Sequence, residues 1–131
     1  MVDPLGDLTR AGVAIWLDDL SRARLATGSL ARLIRDWHVV GVTTNPTIVY
    51  PAISGSDHYD WQIRDLGVRG VGAAHALRTL TVLDVSSACD LLRPIYDASQ
   101  GVDGRVSIGR PRVWPMTWRR RSCRPADSGG W

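Results

Sequence analysis

Apolar positions along the chain follow two alternating rhythms. Ala11 to Leu17 reads Ala-Gly-Val-Ala-Ile-Trp-Leu, an almost uninterrupted apolar run of the kind that marks a strand covered on both faces. Asp18, Asp19 and Ser21 are good helix-start residues, so Leu20 to Ala26 is expected as a short helix, ended by Thr27-Gly28. Ser29 then caps a second helix from Leu30 to Trp37. Its Leu30, Leu33, Ile34 and Trp37 recur at the spacing of one buried helical face. Val39 to Thr44 is rich in β-branched residues and reads as the second strand. Asn45-Pro46 stops it, because proline donates no ladder hydrogen bond and restricts the residue before it.

Beyond Gly55-Ser56-Asp57 the segment His58 to Leu66 is helix-like, with Tyr59, Ile63 and Leu66 on one side, and Gly67, Gly70 and Gly72 then break the chain. Ala73 to Leu80 is expected as one helix and Leu83 to Asp97 as another, the second with an apolar stripe through Val85, Ala88, Cys89, Leu92 and Ile95 or Tyr96. Asp103-Gly104 makes a turn, and Arg105-Val106-Ser107-Ile108 begins a third strand. Strands separated by helical patterns imply parallel βαβ units and an α/β architecture. No internal repeat recurs at a fixed period.

Length narrows this architecture. The chain has 131 residues, about half of the roughly 250 of a complete eight-stranded barrel, so a barrel reading covers only part of one. Composition excludes several classes. No stretch approaches the roughly 20 apolar residues of a membrane span, and the start lacks the basic and apolar regions of a signal peptide, which points to a cytoplasmic protein. Cys89 and Cys123 fit no metal spacing and make no disulfide framework; Cys89, among apolar residues, is expected as an inert buried thiol, and redox chemistry is unsupported. The net charge is +3, yet all 16 basic residues are Arg and all 13 acidic ones are Asp, so Lys and Glu are both absent.

The basic excess is local. Up to Ile108 there are ten Arg against twelve Asp, whereas three of the six Trp and six of the sixteen Arg fall in the last 23 residues. No helical or strand period survives there. The chain is therefore divided at residue 108, with 109–131 expected as an irregular, disordered Arg/Trp-rich tail. Arg binds phosphate and Trp stacks on bases, so a nucleic-acid-binding module using this tail is the alternative from another functional class. Its prolines and Gly129-Gly130, and the lack of a recognisable binding fold, weigh against that reading.

Candidate chemistry gathers at the strand ends. Thr43-Thr44-Asn45-Pro46 places two hydroxyls and one amide where the second strand stops, and in a parallel barrel short polar side chains there can hold sugar hydroxyls without filling the pocket. By spacing alone the plainer reading is a strand-ending turn. Asp18 also stands at a strand end with apolar neighbours, where a carboxylate can move protons; the plainer reading is a helix cap. Gly70-Val71-Gly72-Ala73-Ala74-His75 matches a dinucleotide fingerprint at two positions, fails at the third and follows no strand. His38, His58 and His75 share no ligand spacing with each other or with a cysteine, so no metal site is expected.

Taken together, Ala14-Ile15-Trp16-Leu17-Asp18-Asp19-Leu20-Ser21-Arg22, Val39 to Ile48, Ala52-Ile53-Ser54-Gly55, Cys89-Asp90-Leu91-Leu92-Arg93-Pro94 and Asp97 to Ile108 resemble actinobacterial transaldolases in order and spacing. The resemblance covers about four fifths of the chain and shifts the balance at both strand ends towards chemistry. It implies the N-terminal part of a (β/α)8 barrel. It also implies transfer of a dihydroxyacetone unit between sugar phosphates in the pentose phosphate pathway, through a Schiff base on a lysine and without cofactor or metal. By motif, Asp18 matches the aspartate that assists proton transfer, Asn45 the amide that hydrogen-bonds the sugar, and Thr44 a pocket-lining hydroxyl.

Two departures stand against activity. The family's Val-Ser-Ile motif on strand three is followed by a catalytic glutamate, whereas Val106-Ser107-Ile108 is followed by Gly109. The family's Schiff-base lysine lies on the next strand, and this chain contains no lysine. Arginine stays protonated at any working pH and is no substitute. A shift of reading frame would account for the tail: back-translated with GC-rich codons and read two nucleotides on, Val113 to Arg119 can give a string resembling what transaldolases carry after strand three. The residues just after Ile108 do not fit that register. The chain is therefore expected to be inactive by itself.

Overall fold

A computed structural model of the chain describes residues 2–44 and 53–109. Its first element is a helix that the apolar pattern did not reveal, α1 (Pro4–Arg10). Asp3 caps it, its carboxylate accepting from the Gly6 amide at 2.9 Å, and Pro4 occupies the first turn, where its missing N–H is not needed. Closing α1 shortens the expected first strand. The amides of Ala11, Gly12 and Val13 bond back to Asp7, Thr9 and Leu8, so these residues are unavailable to a ladder and β1 spans only Ile15–Leu17.

Two short helices follow. Ser21 caps α2 (Arg22–Ala26), and Leu20, expected inside that helix, instead inserts into the core. In α3 (Ser29–Asp36), Leu30 is fully buried and Ile34 packs against the core. Trp37, expected on the buried stripe, is exposed: the helix stops at Asp36, and the next residue leaves the helical phase. Strand β2 (Val39–Thr44) has the predicted bounds.

A short 3₁₀ turn (Asp57–Tyr59) leads into α4 (Asp60–Val68). Tyr59 is buried while Ile63 is exposed, because the tighter 3₁₀ winding shifts the face that a uniform α-helical phase would present. The two helices expected between residues 73 and 97 are one, α5 (Ala73–Ala98), which runs through Pro94. Leu80, Thr81, Asp84, Val85, Ala88 and Leu92 make one continuous buried stripe. Burial along its length outweighs the weak helix propensity of the β-branched Thr81 and Val82, a few tenths of a kcal/mol each (about 0.7 at most). Cys89, expected as an inert buried thiol, is half-buried and disulfide-bonded. An apolar setting suits either state of the sulfur, so the sequence did not separate them.

The turn through Gly104 delivers β3 (Arg105–Ile108) alongside β2, the Gly104 amide bonding Val40 O at 2.7 Å. The three strands are parallel in the order β1-β2-β3. Register aligns Leu17, Val42 and Val106 in one row, and these residues pack with Leu20, Leu30, Val85, Ala88 and Leu92 into the core beneath the helices. By alternation the opposite sheet face carries Trp16, Gly41, Thr43 and Ser107. Consecutive parallel strands connected through helices in this way form the N-terminal part of a TIM-type barrel as an open sheet.

Candidate functional site at the strand ends

In a parallel sheet the C-terminal strand ends are where binding groups converge. Here that edge is formed by Asp18, just past β1, by Thr43 and Thr44 of β2, and by Ser107 and Ile108 of β3. The register pairs Thr43 with Ser107. Continuing the β1 pairing from Leu17 and Val42 brings Asp18 beside Thr43. The side chains meet: the Thr43 hydroxyl donates to Asp18 Oδ1. Asp18, Thr43 and Ser107 therefore form a polar row across the open face. Such a row offers a carboxylate for proton transfer and hydroxyls for binding a polyol.

The two threonines divide. Thr44 is 4% exposed, and alternation turns its side chain to the helix-covered face with Val42. Thr43 is the one that reaches Asp18. Asn45 lies outside the described residues.

Behind this edge sits a polar cluster that the sequence reading did not identify. The Arg22 backbone amide donates to Tyr59 Oη at 3.0 Å, the Tyr59 hydroxyl donates to Asp84 Oδ2 at 2.6 Å, and Arg22 Nε donates to Asp84 Oδ1 at 2.7 Å. The guanidinium also lies over the Tyr59 ring, 4.3 Å from its centroid, and bonds Gln62. Burial, and then the hydrogen bond to the Asp84 carboxylate, hold the Tyr59 phenol above its ordinary pKa, so it remains a donor. One signal was available. Asp84 falls within the buried stripe of α5 beside Leu80, Val85 and Ala88, and a carboxylate in such a stripe requires a partner.

The segment between β1 and α2 is held at each residue. Asp19 accepts from Arg24 Nη2 at 2.8 Å, Leu20 is buried, and the Ser21 hydroxyl accepts the Arg24 amide at 3.3 Å. Among the described residues, no group of three or more His, Cys, Asp or Glu side chains is arranged to hold a metal ion. No helix there is long and apolar enough to cross a membrane.

Comparison with known proteins gives a consistent picture. Residues 15–109 match the model of the transaldolase/fructose-6-phosphate aldolase family. The chain is 65% identical over 108 residues to a transaldolase of Acidothermus cellulolyticus, covering 82% of this chain and 29% of that protein. Over the same length and with the same coverage, it is 59% identical to a transaldolase of a Parafrankia species and 56% identical to one of Thermobifida fusca. The chain thus spans under a third of the length of these relatives.

Proposed function

The chain belongs to the transaldolase/fructose-6-phosphate aldolase family, and we propose that it carries the first part of a transaldolase site while lacking the group that performs the covalent step. The reaction is transfer of a dihydroxyacetone unit from sedoheptulose 7-phosphate to glyceraldehyde 3-phosphate, giving erythrose 4-phosphate and fructose 6-phosphate, in the pentose phosphate pathway of the cytoplasm. The hydrogen bond between Thr43 and Asp18 at the strand ends is the observation that supports this most. It presents a carboxylate towards the face where a barrel closes its pocket.

In this reading Asp18 moves protons to and from the bound sugar and Asn45 hydrogen-bonds one of its hydroxyls. Thr43 lines the pocket, while Thr44, buried on the helix-covered face, backs the strand end from the other side. An iminium formed from a lysine amine acts as an electron sink, so that the adjacent carbon–carbon bond breaks to leave a stabilised carbanion. The chain has no lysine.

The test is reduction with borohydride in the presence of fructose 6-phosphate, followed by mass spectrometry, beside a coupled assay of dihydroxyacetone transfer. No stoichiometric internal adduct and no turnover are expected from the 131-residue chain. A chain continued beyond Ile108 with the family's sequence, which brings back the glutamate and the lysine, should show both. Turnover by the present chain, free of host enzyme, would overturn the reading. So would an extended chain that stays inactive although folded.

A further inference from the structure

The ring of bonds joining Arg22, Tyr59 and Asp84 is expensive to build. Arg22 and Asp84 are 16% and 8% exposed at their side chains, and such buried ion pairs are often replaceable by apolar residues without loss of stability. A stability role therefore explains the ring poorly. Its position is more informative. Arg22 lies four residues past Asp18, and Leu20 between them is buried in the core, so the two are joined by a short, anchored segment. Tyr59 and Gln62 come from the segment following β2, and Asp84 from α5. The ring thus joins the segments that follow the first two strands to one rigid helix.

We propose that Arg22, Tyr59 and Asp84 form a positioning lock that fixes the segment between β1 and α2 and thereby holds the Asp18 carboxylate against Thr43; the proposal rests on the reading of Asp18 given above. Each member orients the other two. The Tyr59 oxygen accepts from the Arg22 amide and donates to Asp84, and the Asp84 carboxylate returns to the Arg22 side chain. Leu20 in the core and the partly exposed Asp19–Arg24 pair add further anchors to the same segment. None of the three lock side chains needs to touch a substrate for this role.

The test uses the full isotope-labelled chain and two readouts: the carboxyl carbon resonance of Asp18, which reports its bond from Thr43, and amide hydrogen exchange over Ser21 to Arg24. Tyr59→Phe keeps the ring and both charges and removes only the hydroxyl. Asp84→Asn removes the charge. Leu92→Ala, in the core of α5, weakens the same helix away from the lock. The two lock variants should move the Asp18 resonance and speed local exchange roughly tenfold, the loss expected when a buried hydrogen-bond partner is removed. Leu92→Ala should speed exchange throughout and leave the Asp18 resonance in place. If Asp84→Asn does not fold, Tyr59→Phe decides alone. An Asp18 resonance unmoved in the lock variants that fold, or moved as far by Leu92→Ala, would overturn the proposal. Fructose 6-phosphate added to the unmodified chain separates the two questions. A sugar that leaves Asp18 unperturbed counts against the site, while the variants still decide the lock.

Discussion

Replacing Gly41 by alanine tests the packing of the open sheet face directly. Trp16 and Gly41 are paired across β1 and β2, and the indole lies flat over the space a side chain would occupy. A Cβ built on Gly41 falls 2.8 Å from Trp16 Cζ2 and closer still to two further ring carbons. Either the ring leaves or the strands part. Overpacking of this kind costs about 1–3 kcal/mol, and Trp16, 39% exposed, can swing towards solvent, which places the expected cost at the lower end. Gly41 has no positive φ, so alanine also restricts the unfolded chain and returns about 0.4–1 kcal/mol. The net expectation is destabilisation by about 1 kcal/mol. The decisive form is a double-mutant cycle. In a Trp16→Ala background the obstruction is gone, and Gly41→Ala should become neutral or stabilising. Urea unfolding followed by far-UV circular dichroism on the four proteins gives the coupling energy. If Gly41→Ala has the same effect in both backgrounds, within about 0.5 kcal/mol, the indole does not cover Gly41 and the assignment of faces is wrong.

Gly104→Ala should be more damaging, because Gly104 combines φ +73° with a Cβ position 2.7 Å from Tyr96 Cα and 2.8 Å from Leu92 O; we expect a loss above the roughly 1–2 kcal/mol of left-handed strain alone, and a melting temperature unchanged from the parent would contradict it. At the other end of the sheet, Asp3 accepts the Gly6 amide and pairs with His38 Nε2 at 2.8 Å, and these interactions, the backbone bond first, hold its carboxyl below the ordinary 3.8. A lowered folded-state pKa gives stability that is present above the ordinary value and is lost as pH falls through the folded one. The Gly6 amide resonance should therefore move, and α1 loosen, only below about pH 4, and an Asp3→Asn chain should lack that transition; a Gly6 resonance that moves the same way in both chains would count against the cap. Finally, β1 and β3 are the edges of the sheet among the described residues, and Trp16, Trp61 and Val68 are exposed. Open edges and uncovered apolar surface favour self-association. Light scattering that finds a monodisperse monomer across the micromolar range would argue against it.

The legible part of this fold was the part decided within a few residues. Strand β2 has the bounds its β-branched run indicated, and β3 begins at Arg105, where the Asp103-Gly104 turn placed its start. Asp18 at a strand end and the family motifs were likewise readable from order and spacing. Where several local patterns competed, tertiary contacts decided. The apolar run from Ala11 looked like one long strand, but the backbone of α1 claimed its first residues. The two helices expected around Thr81 and Val82 became one because a single stripe is buried along its length. Which threonine reaches Asp18 depended on the register of β1 against β2, a choice between neighbours that no composition records. The Arg22 lock was least legible of all, since its ion pair joins residues 62 positions apart. Sequence patterning by itself determined which segments are apolar and where the chain turns. Only the folded sheet, by bringing distant polar groups within hydrogen-bonding reach, determined which of them meet.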